Sequence, residues 1–231
     1  LWNSGPMQSA YEWDFGVVLQ YREVFLRAIG TTLGLAVTII ICGMILGLIL
    51  YLLRANTWRP IYLLITAIVE VLRAVPPLVL LVWIYYCMPI LTGLSLNGFQ
   101  TGVLALSLYS AAFYSEIFRA GFQSIEKGQI EAAFSVGMTR AQILRRITGP
   151  LAFQRIFPPL VSQCVLVIKN TSLAGYIAVA EVLYQGQQIS IRTFRPLEVL
   201  TIVALIFLAI ILPLTFLANV LEAKYRKKYF G

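Results

Sequence analysis

Histidine is absent from all 231 residues. That removes imidazole metal sites, imidazole general bases and imidazole proton relays. Charge is scarce too: 12% of residues are charged, against about 25% in an average soluble domain. The three cysteines, Cys42, Cys87 and Cys164, lie in separate apolar stretches. Small buried thiols are therefore expected, and neither disulfides nor a metal site is. No Gly-x4-Gly-Lys-Ser/Thr phosphate loop occurs, so ATP hydrolysis by a P-loop is excluded. No Ser/His/Asp or Cys/His constellation suggests nucleophilic catalysis. No basic n-region followed by a cleavage site is found, so no signal peptide is expected.

What is present is apolar. Hydrophobic residues make up 59% of the chain, which reads as an all-α integral membrane protein whose surface faces lipid and neighbouring helices. The net charge of +8 is then read by position along the chain. Nothing points to a nucleic-acid-binding module.

Residues 1–27 form an external or interfacial segment. Trp2, Tyr11, Trp13 and Tyr21 suit the membrane–water boundary, and a short surface helix is expected there. Residues 28–53 carry no charge. At about 1.5 Å per residue they exceed the roughly 30 Å hydrocarbon core and make the first span. Gly30, Gly34, Gly43 and Gly47 give it small-xxx-small spacing for close helix packing. Arg54 and Arg59 mark its cytoplasmic end. The second span runs from Pro60 to about residue 86, kinked at Pro76-Pro77. Asn97 and Gln100, between Gly93 and Gly102, separate it from a third span that begins near Thr101. A fourth, entered at Pro158-Pro159, covers 157–180. A polar loop, 181–198, leads to a fifth at 199–221, and a basic tail, 223–231, follows. Residues 28–222 are thus one transmembrane unit of five spans.

One polar, cationic island, residues 122–150, interrupts this pattern. It contains Glu131-Ala132-Ala133, then Gly137, Met138, Thr139, Ile147 and Pro150. Ala132 and Ala133 are small helix formers that let a partner surface come close. Gly137 suits the left-handed geometry of a tight turn. Thr139 with Gln142 fits a capping box opening a second short helix, and Gly149-Pro150 is expected to stop it. An ordinary amphipathic interfacial loop explains the composition but not the spacing.

That spacing, E-A-A-x3-G-x9-I-x-x-P, resembles the EAA loop of bacterial ABC importer permeases, with Gly149 where Leu is usual. The rest of the chain is similar to the polar amino acid permease family (histidine, glutamine, arginine and opine importers), over roughly residues 20–225. Glu70, Arg73 and Pro76 match E-x-x-R-G-T-P. Ala74-Val75 stand in place of Gly-Thr and Pro77 in place of Leu, so no substrate contact is assigned to that turn. The run from Ala111 through Glu116 and Arg119 to Gly121 matches the segment upstream of the EAA loop. Glu70–Arg73 and Glu116–Arg119 are three residues apart and are read as structural ion pairs. Lys169-Asn170-Thr171-Ser172-Leu173 matches K-x-[ST]-[SA]-[LI]. A mid-span Lys must face a polar cavity or a partner, so Lys169, Asn170, Thr171 and Ser172, with Ser110 and Tyr109 of the third span, are taken as the substrate pathway. Interhelical hydrogen bonding is the plainer alternative for the hydroxyls.

The resemblance implies a type I importer permease with five spans and a cytoplasmic coupling loop. Glu131, Ala132, Ala133, Gly137, Met138 and Thr139 would engage the ATPase. Implied partners are ATP-binding cassette subunits, a second permease subunit (same or homologous chain) and an extracytoplasmic solute-binding protein. The chain itself would bind no cofactor, ATP and Mg²⁺ belonging to the ATPase. The cationic loops place the N-terminus outside and the C-terminus in the cytoplasm of a bacterial inner membrane. An ion-gradient-driven secondary transporter using Glu70, Glu116 or Lys169 is the rival class, but no inverted repeat supports it.

Overall fold

The computed structural model describes residues 11–55 and 58–230, with side chains through residue 220. Trp2 lies outside the described residues, as do the side chains of the basic tail. Regular structure among the described residues is helical throughout. A short α1 (Gly16–Gln20) leads into α2 (Arg22–Ala55), so the first span's helix starts before its charge-free stretch. Thr31, Thr38 and Thr66 return their hydroxyls to carbonyls one turn earlier, which lets polar side chains sit in apolar helices.

The second apolar region is two helices rather than one kinked one. α3 (Arg59–Ala74) and α4 (Pro77–Tyr86) meet at 102°. Val75 is extended (φ −77°, ψ 130°), as a residue before proline prefers. Pro76 cannot continue the helix and Pro77 opens the next. A short α5 (Met88–Thr92) ends on left-handed Gly93. Asn97 and Gln100, read as separators, form the capping box of α6 (Gly98–Gln123).

α6 is the central helix. It packs along α2, where Gly43 and Gly47 admit it. A Cβ on Gly47 would stand 2.6 Å from Tyr114 Cβ and 2.9 Å from the Ala111 carbonyl, whereas a Cβ on Gly30 or Gly34 would meet nothing. Of the two glycine pairs, only the second is a packing seam within this chain. Tyr114 is fully buried and its hydroxyl reaches Cys164 Sγ at 3.6 Å. Leu35, Ile39, Leu81, Leu106, Val167 and Ile177 form the main core between these elements.

The island forms α7 (Lys127–Ser135) and α8 (Arg140–Ile143). Gly149-Pro150 does not stop the second helix. The chain passes through a π-helical turn, Leu144–Thr148, straight into α9 (Gly149–Asn170). A Cβ on Gly149 would lie 2.6 Å from the Leu144 carbonyl, so the wide turn needs glycine there and absorbs Pro150 without a break. Pro158 and Pro159 likewise lie inside α9 rather than at its entrance. A 3₁₀ segment, Thr171–Ile177, ends on left-handed Ala178. The expected polar loop is instead α10 (Val182–Thr193), capped by buried Glu181, which accepts from Leu183 N (2.8 Å) and Tyr184 N (2.6 Å). Its last helix, α11 (Pro196–Phe230), starts at a corner turned by left-handed Phe194.

α2, the continuous Arg140–Ile177 stretch and Pro196–Val220 are long and apolar enough to cross a membrane, and the bent α3–α4 pair passes only as a unit. α6 is also long enough at about 1.5 Å per residue, but it carries Glu116, Arg119 and several hydroxyls.

The glycine seam sets the first test. Gly47→Leu overpacks it and lowers stability in detergent by about 1–3 kcal/mol, while Gly30→Leu leaves the melting temperature unchanged. Equal behaviour of the two variants would mean the seam is not the close contact described.

Candidate functional site

α6 and α9 run side by side, and each lends one stripe to a shared groove of about 810 Å³. From α6 and its C-cap come Phe113, Ile117, Ala120 and Ser124; from α9 come Arg155, Pro159, Ser162, Leu166 and Lys169. Spacings of three and four residues keep each set on one helix face. Arg73 reaches in from α3, and Glu116, Arg119 and Gln163 complete the polar wall. The volume lies within the range of about 300–1,000 Å³ typical of small-molecule sites.

The charges are arranged in pairs. Glu116 accepts from Arg54 Nη1 at 2.5 Å and from Arg119 Nη2 at 2.7 Å, and Arg119 Nη1 also donates to Gln123 at 2.6 Å. The Arg54 and Glu116 side chains are only 6% and 14% exposed. Arg54, read as marking a cytoplasmic helix end, is a buried partner of Glu116, delivered there by the α2–α6 seam, and its guanidinium lies 5.7 Å from the Tyr62 ring. Arg73 donates to Glu70 at 3.1 Å in an open pair, 35% and 58% exposed, and lies over Phe113 at 5.5 Å. Arg155 donates to the Ser124 carbonyl, tying α9 to the end of α6.

Of the residues read as a substrate pathway, Lys169 lines the groove. The other five stand off it. Thr171 Oγ1 donates to the Ile168 carbonyl (2.7 Å) and Ser172 Oγ to that of Lys169 (2.8 Å), so both hydroxyls serve the end of α9. Half-buried Asn170 closes that helix. Ser110 is buried against Gly43, and Tyr109 packs on Phe113 at 4.9 Å. Gln163 was missed: it is 7% exposed, lines the groove, and its Nε2 has no partner. Its position on the α9 stripe's inner edge was the available signal, hidden by its neighbours' apolarity.

The island presents a second surface. Glu131 and Ala132 face outward, while Ala133 is buried. Gly137 turns at φ +79°, with its N–H on the Phe134 carbonyl (2.9 Å) and the Met138 N–H on that of Ala133 (3.1 Å). The Thr139–Gln142 capping box forms reciprocally, at 2.8 and 3.3 Å. Phe134, Val136 and Leu144 are left 48%, 76% and 55% exposed. Beneath them Ile125, Ile130, Ala152 and Ile156 form a small core joining α7 to α6 and α9. Among the described residues no group of three His, Cys, Asp or Glu side chains could hold a metal ion.

Residues 39–227 match the family described as "binding-protein-dependent transport system inner membrane component". The chain is 38% identical over 185 residues to a probable glutamine ABC transporter permease protein, GlnM, of Bacillus subtilis (strain 168), covering 80% of this chain and 85% of that one. It is 33% identical to the arginine transport system permease protein ArtQ of the same organism, covering 92% and 97%. A solved chain described as an amino acid ABC transporter with histidines superposes with a TM-score of 0.85 at 31% identity, covering 93% of this chain and 100% of that one.

The two ion pairs differ in burial, so their loss should differ. Glu116→Gln leaves Arg54 buried without a counter-charge and is expected to cost about 3–5 kcal/mol. Glu70→Gln opens an exposed pair and costs at most about 1 kcal/mol. Chemical denaturation of both variants in detergent checks the contrast, and equal losses would contradict it.

Proposed function

The chain belongs to the family of binding-protein-dependent transport system inner membrane components, multi-pass permeases without catalytic machinery of their own, and from that premise we propose that it carries a polar amino acid inward as one half of an ATP-binding cassette importer. Two copies, or this chain and a homologue, enclose the path. ATPase subunits dock on α7 and α8 through Glu131, Ala132 and the Gly137–Met138–Thr139 turn, while Ala133, also expected to make contact, is buried behind them. An extracytoplasmic binding protein delivers the solute. ATP and Mg²⁺ belong to the ATPase subunits, and this chain binds neither. The membrane is a bacterial inner membrane, with the N-terminus outside and the C-terminus in the cytoplasm. Since Arg54 is buried, the positive-inside argument for that orientation rests on Arg59, the island's Lys127, Arg140, Arg145 and Arg146, and the basic tail.

The observation that carries this reading is continuity between the island and the groove. α8 runs through the π turn into α9, and α7 is packed onto α6 and α9 by the Ile125–Ile156 core. A force applied to the exposed island therefore moves both groove walls as stiff bodies. That is what alternating access by rigid-body rocking requires. Lys169 is the pathway residue on the groove. Asn170, Thr171, Ser172, Ser110 and Tyr109 shape its upper end and the helix behind it.

Uptake into proteoliposomes tests the proposal, with the ATPase present, ATP inside and binding protein outside. Uptake should need both. Gly137→Pro cannot adopt φ +79° and should reduce ATP-driven uptake about 10-fold or more, the scale of a coupling energy of about 1–3 kcal/mol. Uptake by this chain alone, driven by a proton or sodium gradient and indifferent to the substitution, would replace the reading with a secondary transporter.

A further inference from the structure

A second recess, of about 330 Å³, shares only Arg119 with the groove. Three helices of this one chain build it. Tyr51 and Arg54 come from the end of α2, Tyr62 from the start of α3, and Arg119, Phe122 and Gln123 from the end of α6. Tyr51 and Phe122 stack at 5.4 Å and give it an aromatic side. The polar side carries two guanidiniums, an amide and a phenol, and no carboxylate. Glu116 lies outside the recess and answers both guanidiniums with one negative charge, so the trio keeps a net positive charge. Arg119 commits three of its five N–H groups, two to Glu116 and one to Gln123. Its side chain is 36% exposed, Tyr62 is 37% exposed and Gln123 is exposed, so donors on this wall are open to a ligand.

The recess sits where spans leave the membrane. α2 ends one residue beyond Arg54, α3 begins at Arg59, and its N-cap Trp58 is exposed. Tyr51, Trp58 and Tyr62 are the aromatic types that gather at the membrane–water boundary. Leu48 and Leu52 stand three residues before Tyr51 and Ala55 on α2, and both are exposed. That spacing keeps them on the same helix face, so the recess continues into an apolar strip. We propose that it takes the phosphate of an anionic membrane lipid from the leaflet on the island's side. Arg119, Tyr62 and Gln123 donate to the phosphodiester oxygens, and the acyl chains lie along Leu48 and Leu52. Guanidinium N–H groups match phosphate oxygens in geometry and charge, and basic pockets between membrane-spanning helices are sites for anionic headgroups. A free phosphate offers the same oxygens, but it has no use for the leucine strip.

Lipid binding to the full chain in neutral detergent, followed by native mass spectrometry, tests the site without any transport assay. Phosphatidylglycerol should bind about 10-fold more tightly than phosphatidylcholine, and an excess of inorganic phosphate should not displace it. Gln123→Glu keeps an acceptor for Arg119 and adds a like charge to the recess. It should weaken phosphatidylglycerol about 5-fold or more, leaving phosphatidylcholine and the melting temperature unchanged. Gln129→Glu makes the same change in net charge at an exposed position on α7 outside the recess, and should bind phosphatidylglycerol as the wild type does. Tyr62→Phe deletes a single donor and should weaken phosphatidylglycerol about 2-fold or more, which keeps the site testable if Gln123→Glu folds poorly. Equal binding of the two lipids by the wild type overturns the site, and so do equal losses from Gln123→Glu and Gln129→Glu. Displacement of the lipid by inorganic phosphate overturns the lipid as occupant.

Discussion

Two helices side by side in lipid gain little from hydrophobic exclusion, because the acyl chains are as apolar as leucine. α2 and α6 must be held by close backbone approach, and Gly43 and Gly47 permit it. The polar site depends on that contact. The seam ends at Arg54, and close approach is what lets its guanidinium reach Glu116 at 2.5 Å. With the helices a few ångström further apart, Arg54 would be a buried charge without a partner, which is costly. Packing at Gly47 and charge neutralisation at Glu116 are therefore one constraint stated at two levels of the fold.

The same constraint fixes what the groove can offer. Because Arg54 and Arg119 neutralise Glu116 from both sides, the wall between α6 and α9 is left with donors and no free carboxylate. Lys169 lies well over 20 residues of chain away from any acidic residue on its own helix's N-terminal side, and among the described residues no carboxylate pairs with it, Glu116 on the facing wall being held by Arg54 and Arg119. The site's electrostatic sign follows from helix packing rather than from the overall charge of the chain.

How much of this could be read in the sequence depends on the range of the interaction. Local chemistry was legible: the charge-free first span, the turn at Gly137 and the Thr139–Gln142 capping box all rest on residues within one or two turns of each other. Errors arose where a local rule met a tertiary alternative. Gly149-Pro150 looked like a helix stop, yet a π turn made possible by the missing Cβ carries the helix through. Residues 181–198 looked like a loop because they are polar, yet Glu181 caps α10. The pairing of Arg54 with Glu116 is not legible because the partners stand 62 positions apart. Glu198, in the same supposed loop, is fully buried and gathers Tyr11 Oη at 2.5 Å, Asp14 N at 3.1 Å and Arg195 Nη1 at 3.2 Å. No pattern within either segment announces that contact between the two ends of the chain.

That corner and the island bracket the groove at opposite ends of the bundle, and they are built differently. At the corner, one buried carboxylate ties the N-terminal segment to the start of α11 by several hydrogen bonds, and Arg195 adds another to the Glu12 carbonyl at 2.7 Å. Such a cluster resists displacement because releasing any one partner leaves a buried charge under-satisfied. Among the described residues the island's long-range ties are a small apolar core and the Arg155–Ser124 bond. Apolar contacts are non-directional and tolerate sliding that hydrogen-bonded charge does not. The two ends of the groove are therefore tied by different kinds of contact, directional hydrogen bonds to a buried carboxylate at the corner and mainly apolar packing at the island.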